Sequence, residues 1–174
     1  MLGIFVKTET SSFRLEKEVF EEFKKHAKKH GLTVNSLINK IMKEYVEFAA
    51  LAPATQVIPY PSPVIVKLLK NSSEKQIREI AQGYVKEHFV ENLLLLKNEV
   101  SVDAFLEVAQ NWCTASGFPY SIREKNGITN FTVRHNNGNR FSILLGEVIK
   151  CQIEELVKKP AEVKETPNSV SFWV

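Results

Sequence analysis

Two amphipathic patterns near the N-terminus predict a pair of helices separated by Gly31. The first pattern runs from about Lys17 to His30, with apolar residues three and four positions apart. The second follows Thr33, a common helix-capping residue type, and carries the most regular apolar stripe of the chain: Val34, Leu37, Ile38, Ile41, Met42, Tyr45 and Phe48. The alternating segment FRLE precedes both helices and predicts a short strand.

Proline is concentrated between residues 49 and 63, which hold Pro53, Pro59, Pro61 and Pro63 of the chain's seven prolines. Because proline fixes φ and drives the preceding residue toward extended conformations, this stretch predicts a semi-rigid linker. The expected organisation is an N-terminal module at 1–50, a linker at 51–63 and a C-terminal module at 64–174.

The C-terminal module is predicted to contain helices, then a hairpin, a helix and a second hairpin. Ser73 and Gln76 have the spacing of a capping box at the start of a helix. Asn126-Gly127 joins two alternating segments and suits the positive φ angles of a two-residue hairpin turn. A long helix is expected after Gly138, and two short strands around residues 167–168. The fold class expected for the whole chain is α+β.

The helix after Gly138 carries more apolar surface than one sheet face is expected to cover. Leu144, Leu145, Val148 and Ile149 span more than about 100° of that helix. Three alternatives could cover the remaining apolar surface: the helices that follow the linker, the same helix of a second subunit, or an apolar effector.

Length, composition and charge narrow the class of protein. With 174 residues and 44% hydrophobic content, the chain is expected to build a sizeable core. Apolar runs stay far below the roughly 18 residues that cross a bilayer, and the N-terminus lacks a signal-peptide pattern, so a cytoplasmic protein without membrane contact is expected. A net charge of +3 is compatible with nucleic-acid binding without establishing it.

The N-terminal module is too small to bury both helical stripes by itself, so we expect a homodimer. If the short strands of the two subunits pair antiparallel, Phe13 and Leu15 face the helices while Thr10, Ser12 and Arg14 face outward. A two-stranded ribbon fits the DNA major groove, where arginine makes bidentate contacts with guanine.

Residues 10–48, which include the segment SSFRLEKEVFEEFKKHAKKHGLTVNSLINKIMKEYVEF, resemble the ribbon-helix-helix superfamily of dimeric DNA-binding proteins. The resemblance rests on the strand followed directly by a helix, the Gly31-Leu32-Thr33 turn, and small polar residues opening the second helix. It implies an intertwined dimer whose ribbon reads bases with Thr10, Ser12 and Arg14, and whose second helices hold phosphates near Thr33, Asn35 and Ser36. The chain is also similar to archaeal proteins that join such a domain to an uncharacterised α+β module.

The function expected from the sequence is a dimeric, sequence-specific transcription regulator that binds double-stranded DNA. The alternative is an antitoxin-like dimer whose N-terminal module binds a protein partner. No nucleophile signature, P-loop or dinucleotide motif is found in the sequence, so neither an enzyme nor a cofactor is predicted.

Candidate chemistry in the C-terminal module lies in the segment RHNNGNR. Arg134, His135, Asn137 and Arg140 stand at a strand-to-helix turn and are a candidate anion or effector site. The alternative is a polar turn in which Asn137 caps the helix. The two cysteines and two of the histidines, Cys113, Cys151, His88 and His135, lack metal-ligand spacing, so no metal site is predicted, although a small-molecule or metal sensor stays an alternative.

Overall fold

A computed structural model describes residues 9–50, 53–55, 57–58 and 60–174. The chain divides into two compact units, Met1–Met42 and Lys43–Val174, here called unit 1 and unit 2. The division falls inside the second helix, and the described part of the predicted linker belongs to unit 2. Residues 51, 52, 56 and 59 of that linker lie outside the described residues.

Unit 1 contains α1, Lys17–Lys29, and most of α2, Val34–Glu44. Gly31 adopts a φ of +66° between them, which is the left-handed conformation expected where a helix ends. The backbone N–H of Ser36 donates to Thr33 Oγ1 at 3.0 Å, so Thr33 caps α2 as its residue type predicts. The first helix therefore spans nearly the predicted residues, whereas α2 begins as predicted and ends at Glu44, before Tyr45 and Phe48 of the predicted stripe.

The expected N-terminal ribbon is wrong. Described residues 9–16, including Thr10, Ser12 and Arg14, belong to no helix or strand, and the first regular element of the described residues is the helix that begins at Lys17. All strands of the described residues lie in the C-terminal half. Alternating apolar and polar residues favour an extended backbone, but they do not by themselves specify a strand, because a strand also needs a hydrogen-bonded neighbour that the local pattern leaves undefined.

Unit 2 combines helices with a four-stranded antiparallel sheet, which agrees with the α+β class. A π-helical segment, Tyr45–Ala49, follows α2 directly. The remaining helices are α3 (Ser62–Lys70), α4 (Glu74–Lys97), α5 (Val102–Ala115) and α6 (Asn139–Val157). The strands are β1 (Tyr120–Lys125), β2 (Ile128–Arg134), β3 (Val163–Thr166) and β4 (Ser169–Trp173), in the order β1-β2-β4-β3.

Local signals account for the main boundaries in unit 2. Ser73 and Gln76 form a reciprocal capping box at the start of α4, as predicted. The turn between β1 and β2 has positive φ at both central residues, 54° at Asn126 and 74° at Gly127, which matches the predicted hairpin.

The core of unit 2 lies between one sheet face and α6, with α4 packed across α6. Phe131 and Phe172 stand opposite each other on β2 and β4 and are fully buried. Leu145 and Ile149 of α6 are buried in the same cluster, so they are covered from within the chain. Leu144 and Val148 stay half-buried and line the cavity described next.

Candidate functional site

A partly open cavity of about 310 Å³ lies in unit 2. Its walls come from α4, α5, α6, two strands and the segment before α3. The apolar aromatic side chains of that wall are Phe48, Phe89, Phe105, Trp112, Phe141 and Phe172. The described lining residues include no charged side chain, so the cavity has the composition of a site for an apolar molecule.

Helical spacing explains how α6 presents one side to the cavity. Leu144, Val148 and Gln152 are four residues apart, and all three line it. Their neighbours Leu145 and Ile149 also reach the lining, although most of their surface is buried in the core. The excess apolar surface that the sequence shows on this helix is therefore divided between the core and the cavity.

Two amides, Asn92 and Gln152, and two hydroxyl-bearing residues, Thr55 and Tyr84, are the polar lining residues of the cavity. Asn92 on α4 and Gln152 on α6 are half-buried. Neither side chain makes a hydrogen bond within the described part of the chain. An amide offers both donor and acceptor groups, so these two side chains are available to orient a bound molecule.

Sequence reasoning missed the contribution of the proline-rich segment. Thr55 and Val57 of this segment line the cavity, and Thr55 is buried. The prolines identify a non-helical stretch, but a local pattern does not show that the stretch packs against a helix bundle. The hydrophobic residues between the prolines were the available signal.

The predicted anion site uses two of its four side chains, Arg140 and His135, for hydrogen bonds inside the protein. Arg140 donates to the Leu69 carbonyl oxygen at 3.2 Å, and the Gly138 N–H donates to Asn168 Oδ1 at 3.2 Å. Asn137 does not cap α6, and its buried amide nitrogen has no hydrogen-bond partner. Arg134 is exposed at the end of β2.

His135 is buried and paired with Ser142. Its Nδ1 accepts from the Asn137 N–H at 3.2 Å, so the ring is neutral and its Nε2–H faces Ser142 Oγ at 3.0 Å. Burial lowers the pKa of His135. A general base would accept the proton of the hydroxyl, whereas this ring donates its own N–H to the hydroxyl oxygen. The pair is therefore a structural contact.

The residues predicted to contact DNA are exposed in unit 1. They are Thr10, Ser12, Arg14, Thr33, Asn35 and Ser36. The Thr33 hydroxyl is engaged in the cap of α2, and it also lies 2.8 Å from Ser36 Oγ. Nearby lysines on α1 are partly neutralised, since Lys24 pairs with Glu21 at 2.7 Å and Lys25 pairs with Glu22. DNA contact at these positions stays a prediction.

Other candidate chemistry has a structural explanation. Cys113 is fully buried, and burial raises the pKa of its thiol to about 12.

Among the described residues, no group of three or more His, Cys, Asp or Glu side chains is arranged to hold a metal ion. Over the same residues, no helix is long and apolar enough to span a membrane.

Comparison with known proteins assigns no function to this chain, so the proposal below rests on the geometry of the structure. The chain matches no known protein family, no curated protein and no solved structure.

Proposed function

We propose that unit 2 binds an uncharged, largely apolar small molecule. The observation that carries the proposal is the 310 Å³ cavity, whose walls are aromatic and aliphatic. Ligand pockets in proteins span roughly 300–1,000 Å³ and combine such walls with a few placed polar groups. Asn92 and Gln152 supply those groups.

The size and chemistry of the cavity limit the ligand. A cavity of about 150 Å³ holds a benzene molecule, so this one suits a molecule of about twice that volume. A charged ligand would lose its hydration without meeting an opposite charge among the described lining residues. The ligand class is therefore a neutral hydrophobic compound with one group that pairs with an amide.

The lining favours binding over catalysis. The described lining residues include no carboxylate, imidazole or amine to transfer a proton. The thiol of Cys113 lines the cavity, but its pKa of about 12 keeps it protonated near neutral pH. Unit 2 therefore acts as a receptor for its ligand.

A cavity-filling variant tests the proposal. Ala109 on α5 lines the cavity, whereas Ala115 at the end of the same helix is exposed. Titration with the uncharged fluorophore 1-aminoanthracene is expected to show one saturable site in the wild-type chain. Ala109→Phe should weaken that binding at least tenfold, and Ala115→Phe should leave it unchanged. Equal binding by all three proteins, or no binding by the wild type, would overturn the proposal.

A second candidate function concerns unit 1, which buries only Ala27 and Leu37 among its described residues. Large apolar side chains stay exposed, namely Phe13, Leu15, Val19, Leu32, Ile41 and Met42. Such a surface is typical of a protein–protein interface. We infer that a second copy of the chain covers it and that the dimer contacts duplex DNA with Arg14, without the paired strands that the structure contradicts.

Sedimentation of the full chain tests this second function. At micromolar concentration the wild type is expected to be a dimer, and Ile41→Asp a monomer, because a buried charge opposes association. Asn39→Asp adds the same charge at an exposed position of α2 and should stay dimeric. A monomeric wild type would exclude the dimer. Salt-dependent duplex binding that Arg14→Ala does not weaken would exclude the DNA contact.

A further inference from the structure

The sheet of unit 2 has a second face that is turned away from the core. Strand register puts Ser121, Thr132, Ser171 and Lys164 in one row across the four strands. A neighbouring row contains Arg123, Asn130 and Trp173. These rows alternate with those that bury Phe131 and Phe172, so they form the opposite face, here called the outer face.

The outer face is basic. Its charged strand residues are Arg123 and Lys125 on β1, Arg134 on β2 and Lys164 on β3, so these positions carry four positive charges. None of its described strand positions holds an acidic residue, because Glu124 and Glu165, the sequence neighbours of these cations, alternate onto the opposite face, and Glu162 lies just before β3. The chain as a whole carries only +3, so a substantial share of the basic excess is concentrated on this face.

The four cations are free to meet an external partner. All four are exposed, and in the part of the chain that the structure describes none of them makes an ion pair. By contrast, Lys24, Lys25 and Arg78 each pair with glutamate. A set of unpaired cations on one surface raises the local concentration of anions.

The centre of the outer face is polar and aromatic. Thr132 and Ser171 hydroxyls lie 2.9 Å apart, and Asn130 Nδ2 donates to the Phe172 carbonyl oxygen. Trp173 is half-buried on β4, in the row that begins with Arg123. Part of its surface is therefore accessible from solvent.

We propose that the outer face binds single-stranded nucleic acid, with phosphates held by the four cations and a base stacked on Trp173. Cations that follow the backbone and an aromatic side chain that stacks a base are the two components of single-strand binding. The sheet spans three strand spacings of about 4.8 Å, which is room for a short stretch of nucleotides.

The arrangement favours a single strand over a duplex. A duplex is read by an element that enters a groove, whereas a flat sheet face presents its residues side by side. A base also has to leave its stack before it contacts an indole face. This site is separate from the cavity, which Val133 and Phe172 line from the core face of the sheet.

Fluorescence anisotropy with a labelled twelve-nucleotide oligo-dT or oligo-U tests the proposal on the full chain. Arg123→Glu combined with Lys164→Glu should weaken binding at least tenfold. The slope of log K against log salt should fall in magnitude by about 1.4, because each lost phosphate contact contributes about 0.7 for a single strand. The matched control reverses two exposed lysines on α3 and α4, Lys67→Glu with Lys86→Glu, and should stay within twofold of the wild type.

Separate variants distinguish stacking from charge and from duplex binding. Trp173→Leu should lower affinity at least fivefold while keeping the salt slope, since stacking releases no counterion. Arg14→Ala in unit 1 should leave single-strand binding unchanged. If the double charge reversal lowers the melting temperature, Arg134→Gln and Lys164→Gln remove the charge without reversing it and should each weaken binding about threefold. Absence of single-strand binding, tighter binding of the Arg14→Ala variant to a duplex of equal length than to the single strand, or equal loss in the control pair would overturn the proposal.

Discussion

Arg78 Nη1 lies 2.7 Å from Oε2 of Glu147, and this contact joins α4 to α6 across 69 residues of sequence. Glu147 is only 3% exposed, and its other oxygen accepts from Gln82 Nε2 at 2.7 Å. Arg78 also reaches Glu165 on β3 and Glu74 on its own helix. A buried carboxylate is thus fully hydrogen-bonded at the junction of two helices that also line the cavity.

The balance of charges sets the ionisation of Glu147. Burial raises the pKa of Glu147, but the hydrogen bonds from Gln82 and Arg78 lower it by more, so the pKa lies below its ordinary value of 4.5. A carboxyl whose pKa is lower in the folded state stabilises the fold above about pH 4.5, and that stabilisation is lost as pH falls through the folded pKa. The network is therefore fully formed at neutral pH.

Arg78→Met is expected to lower the free energy of unfolding by about 3 kcal/mol, because it leaves the Glu147 carboxylate buried without its cation. Urea unfolding at pH 7 measures the change. Lys75→Met is the matched control, since Lys75 pairs with Glu79 at 3.8 Å on an exposed surface, and its effect should be under about 0.5 kcal/mol. Equal effects of the two variants would contradict the importance of the buried contact.

Two glycines in helices should respond to alanine with opposite signs. A Cβ on Gly146 of α6 would stand 2.5 Å from Glu165 Oε1, and Arg78 holds that carboxylate in place. Gly146→Ala should therefore destabilise the protein by about 1–3 kcal/mol. Gly83 in α4 has open space around its Cα, so Gly83→Ala should stabilise it by about 0.5–1 kcal/mol. Thermal melts of the two variants decide this prediction, and a shift in the same direction would refute it.

Stability should fall when the solution is made acidic enough to protonate His135. Because burial lowers the pKa of His135 below its ordinary value of 6.5, the unfolded chain takes up the proton first. The contribution of the neutral His135 ring to the free energy of unfolding is complete above about pH 6.5. It declines as pH falls from there through the pKa of His135 in the folded protein. Urea midpoints between pH 8 and 5 should decrease more in the wild type than in His135→Gln. Parallel pH profiles would show that this histidine does not titrate as expected.

Cys113 should resist alkylation in the folded protein. Its side chain is fully buried, and burial raises the pKa of the thiol to about 12, so little thiolate is present at pH 8. Iodoacetamide followed by peptide mass spectrometry should find Cys113 unmodified without denaturant and modified in urea. Cys151, which is half-buried, serves as the internal comparison, and rapid native modification of Cys113 would contradict the assigned burial.

Features that depend on neighbouring residues were predictable from the chain. Thr33 and the Ser73–Gln76 box cap their helices, and Asn126-Gly127 makes the hairpin turn. In each case the stabilising hydrogen bond or φ angle involves residues within a few positions of one another. The apolar excess on α6 was equally visible, because helical spacing is a local property.

Features that depend on distant residues required the folded chain. The strand expected before α1 does not form, since an alternating pattern specifies an extended backbone and leaves its hydrogen-bonding partner undefined. Arg78 meets Glu147 and Glu165, which lie 69 and 87 residues away, and no local pattern links them. The cavity and the outer face arise in the same way, from the packing of α4 to α6 and from the register of four strands. Amphipathic periodicity states which side of an element is buried, whereas the identity of the surface that covers it is a property of the whole tertiary arrangement.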